Sequence, residues 1–192
     1  MKTIILIRHA ETAMAGRFCG HSDPELNATG EMQLARIIEQ VLPLGIDRIV
    51  SSDLRRASRT AQVIGQRIGV DPEFRQRLRE IHFGLWEGMS WNEITACCPR
   101  EAQAWIAEFP SDAPQGEPYA ELCVRVEMEF DYLLNTSADG VVAVVTHRGP
   151  MRYALTKFFG RSEQEAFDQT AAYGAVIVVA GAPSRRRPGH EA

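Results

Sequence analysis

The chain has 192 residues, of which 45% are hydrophobic and 24% are charged, proportions typical of one globular domain with a sizeable core. Its formal net charge of −4 leaves no overall excess of positive charge, so the composition does not favour a nucleic-acid partner. No stretch reaches the roughly 18 apolar residues of a membrane span, and no signal-peptide pattern follows Met1. We therefore expect a cytoplasmic protein without a membrane partner, and the sequence leaves its oligomeric state open.

The four cysteines are Cys19, Cys97, Cys98 and Cys123. An adjacent pair and two single residues match neither a disulfide framework nor the C-x-x-C spacing of a zinc site. We interpret all four as reduced thiols, and we expect no bound metal.

Short apolar runs rich in β-branched residues alternate with helical patterns along the chain. The strands predicted from these runs cover 3–7, 46–50, 141–145 and 175–181. The first and third runs are almost unbroken, as expected for strands buried on both faces. Strand alternating with helix predicts an α/β fold with a mostly parallel central sheet flanked by helices.

Three amphipathic helices are predicted between these strands. Their apolar stripes are Leu34, Ile37, Ile38, Val41 and Leu42; Ala57, Ala61, Ile64 and Ile68; and Cys123, Val126, Phe130, Leu133 and Leu134. This spacing at i, i+3, i+4 and i+7 places each stripe on one helix face. We expect Asp53 to cap the second helix and Gly69 to end it. One domain is predicted over 1–182, with a cap segment at about 90–120 and a solvated, disordered tail at 183–192.

Polar residues follow three of the predicted strands. They are Arg8 and His9 after the first, the segment 51–56 with two arginines after the second, and 146–148 after the third. Taken singly, a histidine at a strand end is usually structural, and two arginines could be a solvated helix face. In an open α/β sheet, however, the ligand lies beyond the carboxyl ends of the strands. Two imidazoles and two guanidiniums at one edge would repel each other unless an anion neutralised them, which predicts a phosphate site.

Five segments also carry a family resemblance. They read LIRHAET at 6–12, GRFCGHSD at 16–23, SSDLRRASRTA at 51–61, LREIHFGLWEG at 78–88 and VVTHRGP at 144–150. In order and spacing they resemble the histidine phosphatase superfamily, also called the phosphoglycerate mutase-like family. The match covers roughly 3–149, so the resemblance implies that fold with a small cap insertion.

The resemblance implies a role for each of five residues. His9 would be the nucleophile that becomes phosphorylated, Arg8, Arg56 and His147 would hold the phosphoryl oxygens, and Glu80 would be the general acid and base. The chemistry agrees, because a histidine nucleophile must be neutral and nearby positive charge lowers its pKa. Arginines can also stabilise the transferring group without a metal or another cofactor. For Glu80 the residues alone leave another interpretation, a surface glutamate paired with Arg79.

The phosphate-binding part of the family pattern is incomplete in this chain. Ala10 and Ala15 stand where many members have Gly and Asn. One phosphate-contacting group would therefore be missing. We expect Arg17, Cys19 or the Gly20 backbone to compensate for it.

Two other departures concern the substrate's alcohol part. Arg148 stands where a Gly is common, and it would either bind a second anionic group or point to solvent. His82 replaces what is often a small or acidic residue, and we expect it to line the leaving-group side of the site.

Within this family we favour a phosphatase, because cofactor-dependent mutases carry longer insertions between the general acid and the second histidine. Trp91 and Trp105 in the cap could stack on an aromatic base or simply pack the cap. The leading substrate is α-ribazole 5′-phosphate of cobalamin biosynthesis, on the resemblance of GRFCGHSD and GLWEG to α-ribazole phosphatases. The alternatives are a broad-specificity sugar-phosphate phosphatase, a phosphoglycerate mutase, a phosphohistidine protein phosphatase and a non-catalytic protein that binds a phosphorylated metabolite.

Overall fold

The computed structural model describes residues 2–107, 112–136 and 139–180. Its central sheet consists of β1 (Thr3–Arg8), β2 (Arg48–Ser51), β3 (Pro72–Phe74), β4 (Val141–Thr146) and β5 (Val176–Ala180). The strand order is β3-β2-β4-β1-β5, and every pairing is parallel except that of β1 with β5. The predicted α/β class with a mostly parallel sheet is confirmed.

Seven α-helices lie within the described ranges. They are α1 (Ala28–Val41), α2 (Arg55–Ile68), α3 (Trp91–Cys97), α4 (Pro99–Ala107), α5 (Tyr119–Thr136), α6 (Arg148–Phe159) and α7 (Glu163–Gln169). No helix in this part of the chain is both long and apolar enough to cross a membrane.

Helices cover both faces of the sheet. Alternate residues of a strand point to opposite faces, so each buried strand contributes to two cores. On one face, Ile4 and Leu6 of β1 belong to a core that also contains residues of α5 and α6. On the other, Ile5 and Ile7 pack with residues of α1 and α2. Most residues of the three predicted apolar stripes point into these cores: Leu34, Ile37 and Val41; Ala57, Ala61 and Ile64; Val126, Phe130 and Leu133 are buried. Leu42 is an exception, because α1 ends at Val41 and Leu42 is exposed.

Two features of local structure differ from the sequence predictions. Asp53 does not cap α2, because its carboxylate is bound to the guanidinium of Arg79, with Oδ1 at 2.7 Å from Nε. The first N–H of that helix, on Arg55, donates instead to Oδ1 of Asp23 at 2.7 Å. The short edge strand β3 was also not predicted, because three residues beginning with a proline carry too little pattern.

The predicted cap segment contains α3 and α4. Ser90 and Glu93 form a reciprocal capping box at the start of α3. A small core of Trp86, Ile94, Ala102 and Ala113 joins these helices to the short 3-10 helix at Gly84–Trp86. The predicted tail at 183–192 lies outside the described residues.

Candidate active site

The carboxyl ends of β1, β2 and β4 bring the predicted polar residues together. Arg8 and His9 follow β1, His147 follows β4, and Arg56 comes from the first turn of α2 beyond β2. The rings of His9 and His147 lie 5.0 Å apart between centroids. We call Arg8, His9, Arg56 and His147 the basic cluster; all four side chains are buried.

His9 is held in one tautomer by the main chain. Its Nδ1 lies 2.7 Å from the carbonyl oxygen of Ala10. A carbonyl can only accept, so Nδ1 carries the hydrogen and Nε2 keeps a lone pair. Burial, with the positive charges of Arg56 and Arg8, lowers the pKa of His9 well below its usual value. The imidazole is therefore neutral near pH 7 and can act as a nucleophile at Nε2.

His147 is fully buried beside Ser52. Its Nε2 lies 2.8 Å from Ser52 Oγ, and that oxygen accepts a hydrogen bond from the N–H of Leu54 at 3.3 Å. This arrangement favours donation from the Ser52 hydroxyl to Nε2, with the imidazole hydrogen on Nδ1. Burial and the nearby charge of Arg56 lower the pKa of His147 well below its usual value. Within the described residues, Nδ1 has no partner.

Arg56 is oriented by backbone carbonyls of the loop that follows β1. Only 1% of the residue is exposed, and its guanidinium donates to the carbonyls of Ser22 and Gly20 at 2.7 Å each and to that of Cys19 at 3.1 Å. These three acceptors use Nη1 and Nη2 and leave Nε without a partner in the described part of the chain. The arginine is fixed in place with its Nε–H unused.

Arg8 is oriented in the same way by the turn after α7. It donates to the carbonyls of Thr170 at 3.0 Å and Ala171 at 2.6 Å, and its Nε has no partner among the described residues. Its guanidinium carbon lies 4.0 Å from the centre of the Tyr173 ring. Burial lowers the pKa of Arg8. Tyr173 also packs 5.6 Å from the ring of His9, so it is part of the site.

The unused donors of the basic cluster identify its ligand class. A buried donor without an acceptor is costly, and Arg8 Nε, Arg56 Nε and His147 Nδ1 are three of them in one place. Several buried donors with unneutralised positive charge suit a single group with several negative oxygens. The arrangement therefore fits phosphate or a phosphoryl group.

Glu80 lies beside the basic cluster and is only 8% exposed. Its Oε2 accepts from the N–H of Gly149 at 3.2 Å, and its Oε1 accepts from the N–H of Ile81 at 3.0 Å. A Cβ at position 149 would collide with the Glu80 carboxylate, so only glycine allows this approach. Arg79 pairs with Asp53 instead. The interpretation of Glu80 as a surface partner of Arg79 is wrong.

Two further side chains hold the main chain at Glu80. Arg125 donates to the carbonyl of Glu80 at 3.0 Å and to that of Arg79 at 2.5 Å, while its guanidinium also pairs with Glu117. His21 donates to the Glu80 carbonyl through Nε2 at 3.0 Å. These contacts fix the segment that carries the carboxylate.

Glu87 organises the loop that supports Arg56. Its carboxylate accepts from the N–H groups of Gly20, His21, Ser22 and Phe83 at 2.9 to 3.2 Å and from Ser22 Oγ at 2.6 Å. Burial alone would raise the pKa of Glu87, but these hydrogen bonds outweigh it and lower the pKa. Glu87 was not among the predicted site residues, although the glutamate of GLWEG was the available signal.

Four residues expected near the substrate have other partners in the structure. Arg17 is exposed and pairs with Glu93 of the cap at 2.9 Å. The Gly20 N–H is bound to Glu87, so it is not free for a phosphate oxygen, and the Gly20 and Cys19 carbonyls face Arg56. The His82 ring packs edge-on against His21. Cys19 and Gly20 therefore support the arginine, while Arg17 and His82 lie outside the basic cluster.

A cavity of about 630 Å³ opens beside Glu80, and we call it the cap cavity. Its lining residues are Phe18, Glu80, Ile81, Phe83, Trp105, Ile106, Tyr119, Leu122, Arg148, Gly149, Arg152 and Phe167. The lining is mostly apolar and aromatic, and its volume suits a small molecule. Arg148 lines this cavity, which is the position that binding of a second anionic group would require. Trp91 is not part of the lining; its ring stacks on Phe18 with centroids 6.1 Å apart.

Known proteins with similar sequences belong to the family that the motifs resemble. The family model of the histidine phosphatase superfamily (branch 1) matches residues 4–188. A Salmonella arizonae protein named "Probable phosphoglycerate mutase GpmB" is 34% identical over 154 residues, 77% of this chain and 70% of that protein.

Solved structures are similar over most of the chain. A mycobacterial glucosyl-3-phosphoglycerate phosphatase is 26% identical with a TM-score of 0.83, covering 96% of this chain and 92% of that one. The α-ribazole phosphatase of Shigella flexneri has a TM-score of 0.81 at 22% identity, covering 92% and 89%, and supports the fold alone.

Proposed function

The chain belongs to the histidine phosphatase superfamily, and from that premise we propose that it is a phosphomonoesterase acting through a phosphohistidine intermediate on His9. The observation that carries the proposal is the set of unused buried donors around a neutral imidazole whose Nε2 keeps its lone pair. A phosphate monoester in the basic cluster would satisfy those donors and place its phosphorus next to the nucleophile.

The proposed first step is in-line transfer of the phosphoryl group. The Nε2 lone pair of His9 forms an N–P bond while the bond from phosphorus to the alcohol oxygen breaks. Arg8, Arg56 and His147 stabilise the charge on the three equatorial oxygens. Glu80, which lines the cap cavity, gives its proton to the departing oxygen.

The second step reverses these roles. The Glu80 carboxylate takes a proton from water as the water oxygen attacks phosphorus and the N–P bond breaks. Phosphate leaves, and Glu80 holds its proton again. The two N–H groups that fix the carboxylate keep it on the alcohol side of the phosphorus throughout.

No metal is needed in this proposal, since two guanidiniums supply the positive charge that a metal would otherwise provide. Hydrolysis of p-nitrophenyl phosphate should continue unchanged in EDTA. Loss of activity in EDTA that returns with Mg²⁺ or Zn²⁺ would contradict the proposed mechanism.

For the substrate we propose a small phosphomonoester whose alcohol part occupies the cap cavity. Trp105 lines that cavity, which supports an aromatic alcohol part, whereas Trp91 is packed on Phe18. α-Ribazole 5′-phosphate stays the single compound favoured by the sequence, with sugar phosphates as alternatives. A mutase is disfavoured, because the only helices among the described residues between Glu80 and α5 are short: a 3-10 helix at Gly84–Trp86, α3 and α4.

A substrate panel tests this proposal. It compares kcat/KM for p-nitrophenyl phosphate, α-ribazole 5′-phosphate, sugar phosphates, a phosphoglycerate and a phosphohistidine peptide. Hydrolysis of small phosphomonoesters, lost in His9→Ala, is expected. Isomerisation of phosphoglycerate that needs a bisphosphate primer would show a mutase, and binding of phosphate without any turnover would show a binding protein.

A further inference from the structure

We propose that Arg148 and Arg152 bind a second anionic group on the alcohol part of the substrate. The preferred substrate is then a phosphomonoester of an aromatic or branched apolar alcohol that carries a carboxylate or a similar anion. The inference rests on the proposed phosphatase function and adds the class of compound that the cap cavity selects.

The two arginines form one structural unit at the wall of the cap cavity. They are four residues apart on α6, so they lie on the same helix face. Both guanidinium carbons lie near the ring of Phe167 on α7, at 4.3 Å for Arg148 and 5.2 Å for Arg152. All three residues line the cavity. The aromatic ring thus holds both cations beside the space that the alcohol part would occupy.

The charge of Arg148 is not balanced by the described part of the protein. Arg148 forms no ion pair with any residue of the described ranges, and its buried Nε has no partner there. Arg152 reaches Glu163 at a distance of 3.5 Å. Burial lowers the pKa of Arg148, and the charge of Arg152 lowers it further.

The nearby carboxylate does not resolve this imbalance. Glu80 attracts Arg148, but the two side chains form no ion pair, and both Glu80 oxygens already accept N–H groups. Two partly buried like charges repel each other, and an anion from the substrate would relieve that repulsion. The missing counter-charge therefore points to the ligand.

The apolar part of the cavity wall determines which kind of alcohol part fits. Phe18, Phe83, Trp105, Ile106 and Leu122 present apolar surface to the same space. A small polar alcohol would leave this surface in contact with water, whereas an aromatic or branched body would cover it. Only a compound with both an apolar body and a second anion uses both parts of the cavity. α-Ribazole 5′-phosphate has no second anion, so it should be a poorer substrate than a carboxylated aryl phosphate.

A matched substrate pair tests the inference. One substrate is 3-(4-phosphonooxyphenyl)propionate and the other is its primary amide, which have the same body and nearly the same leaving group. The wild-type protein should prefer the acid by about 10-fold or more in kcat/KM, as a charge-assisted hydrogen bond would give. The preference should fall as ionic strength rises from about 10 mM to about 500 mM, because the site is partly open to solvent.

Arg148→Met removes the charge but keeps an apolar chain against Phe167. The readout is the acid-to-amide ratio, which should fall to near one in Arg148→Met and stay above one in Arg148→Lys. Arg161→Met is the matched control, because it removes an exposed arginine that does not line the cavity, and its ratio should equal that of the wild type. Thermal melting of each variant identifies any loss of folding. The salt dependence of the wild-type ratio tests the inference even if a variant does not fold.

The possible failures are distinguishable. Equal turnover of acid and amide by the wild-type protein, or an unchanged ratio in folded Arg148→Met, overturns the inference and leaves the phosphatase function standing. Absence of hydrolysis of both compounds and of p-nitrophenyl phosphate overturns the proposed function as well.

Discussion

The basic cluster and the cap cavity differ in what holds their side chains. Arg8, His9 and Arg56 are each fixed by hydrogen bonds to backbone carbonyls, and the cluster lies where three parallel strands end. The cap cavity is instead walled by side chains from the cap, α5, α6 and α7. Backbone atoms change little when a sequence changes, whereas a cavity wall changes with each substitution. We therefore expect the reaction type and the choice of substrate to depend on different parts of this molecule.

Glu80 lines the cap cavity beside the basic cluster, and of the substitutions outside that cluster its replacement should have the largest effect. Glu80→Gln is expected to lose about 10²- to 10⁴-fold in kcat/KM with an alkyl phosphate, whose leaving group needs a proton. The loss in the phosphorylation step should be much smaller with p-nitrophenyl phosphate. Glu121→Gln, on the exposed first turn of α5, is the control. Equal losses in that step for both substrates would mean that Glu80 is only structural.

Glu87→Gln tests whether a remote carboxylate positions the basic cluster. The amide replaces an acceptor by an NH₂ group that faces N–H donors, so the free energy of unfolding should fall by about 1–3 kcal/mol. The substitution should also displace the loop whose carbonyls hold Arg56. That displacement should lower kcat/KM by up to about 10²-fold with every substrate. Glu101→Gln in the cap is the control. A variant that changes only the preference among substrates would place Glu87 with the cap cavity instead.

The pH dependence of stability tests the buried histidines. His9 and His147 have lowered pKa values in the folded state, so the unfolded chain binds more protons at acid pH. Stability is then fully present above the unfolded pKa of about 6.5 and is lost as pH falls below it, by up to about 1.4 kcal/mol per pH unit for each histidine. Urea unfolding at a series of pH values measures this slope, and His147→Gln should reduce it. An unchanged slope would show that His147 is not neutral in the folded protein.

Trp105 and Trp91 give the smallest expected effect and separate the cavity from the packing of the cap. Trp105→Leu should change the ratio of kcat/KM for 1-naphthyl phosphate to that for p-nitrophenyl phosphate by about 2- to 10-fold, since an aromatic contact to substrate is lost. Trp91→Leu should lower the melting temperature and leave that ratio unchanged. The opposite pattern would assign the aromatic contact to Trp91.

The basic cluster, held by the backbone, is easier to predict from the sequence than the cap cavity, which is walled by side chains. The basic cluster was predictable because unbroken runs identify parallel strands, and the residues after parallel strands lie at one edge of the sheet. Tyr173 was missed because its position depends on β5 running antiparallel beside β1, which no local pattern reveals. The Asp53 cap failed because Arg79, distant in sequence, binds that carboxylate more favourably than a helix N–H would.

The cap cavity could not be predicted as a whole. Its walls come from six separate segments, and the pairing of Arg148 with Phe167 requires the packing of α7 against α6. The lysine-poor sequence contains many arginines, and nothing local distinguishes Arg148 from an exposed one.

The phosphoenzyme on His9 tests the central claim most directly. The protein is exposed briefly to a ³²P-labelled phosphomonoester, quenched in alkaline denaturant and digested, and the labelled peptide is sequenced. We predict a base-stable, acid-labile phosphate on the peptide that contains His9, and no label in His9→Ala. Turnover by His9→Ala near the wild-type rate, or label on another residue, would contradict the account.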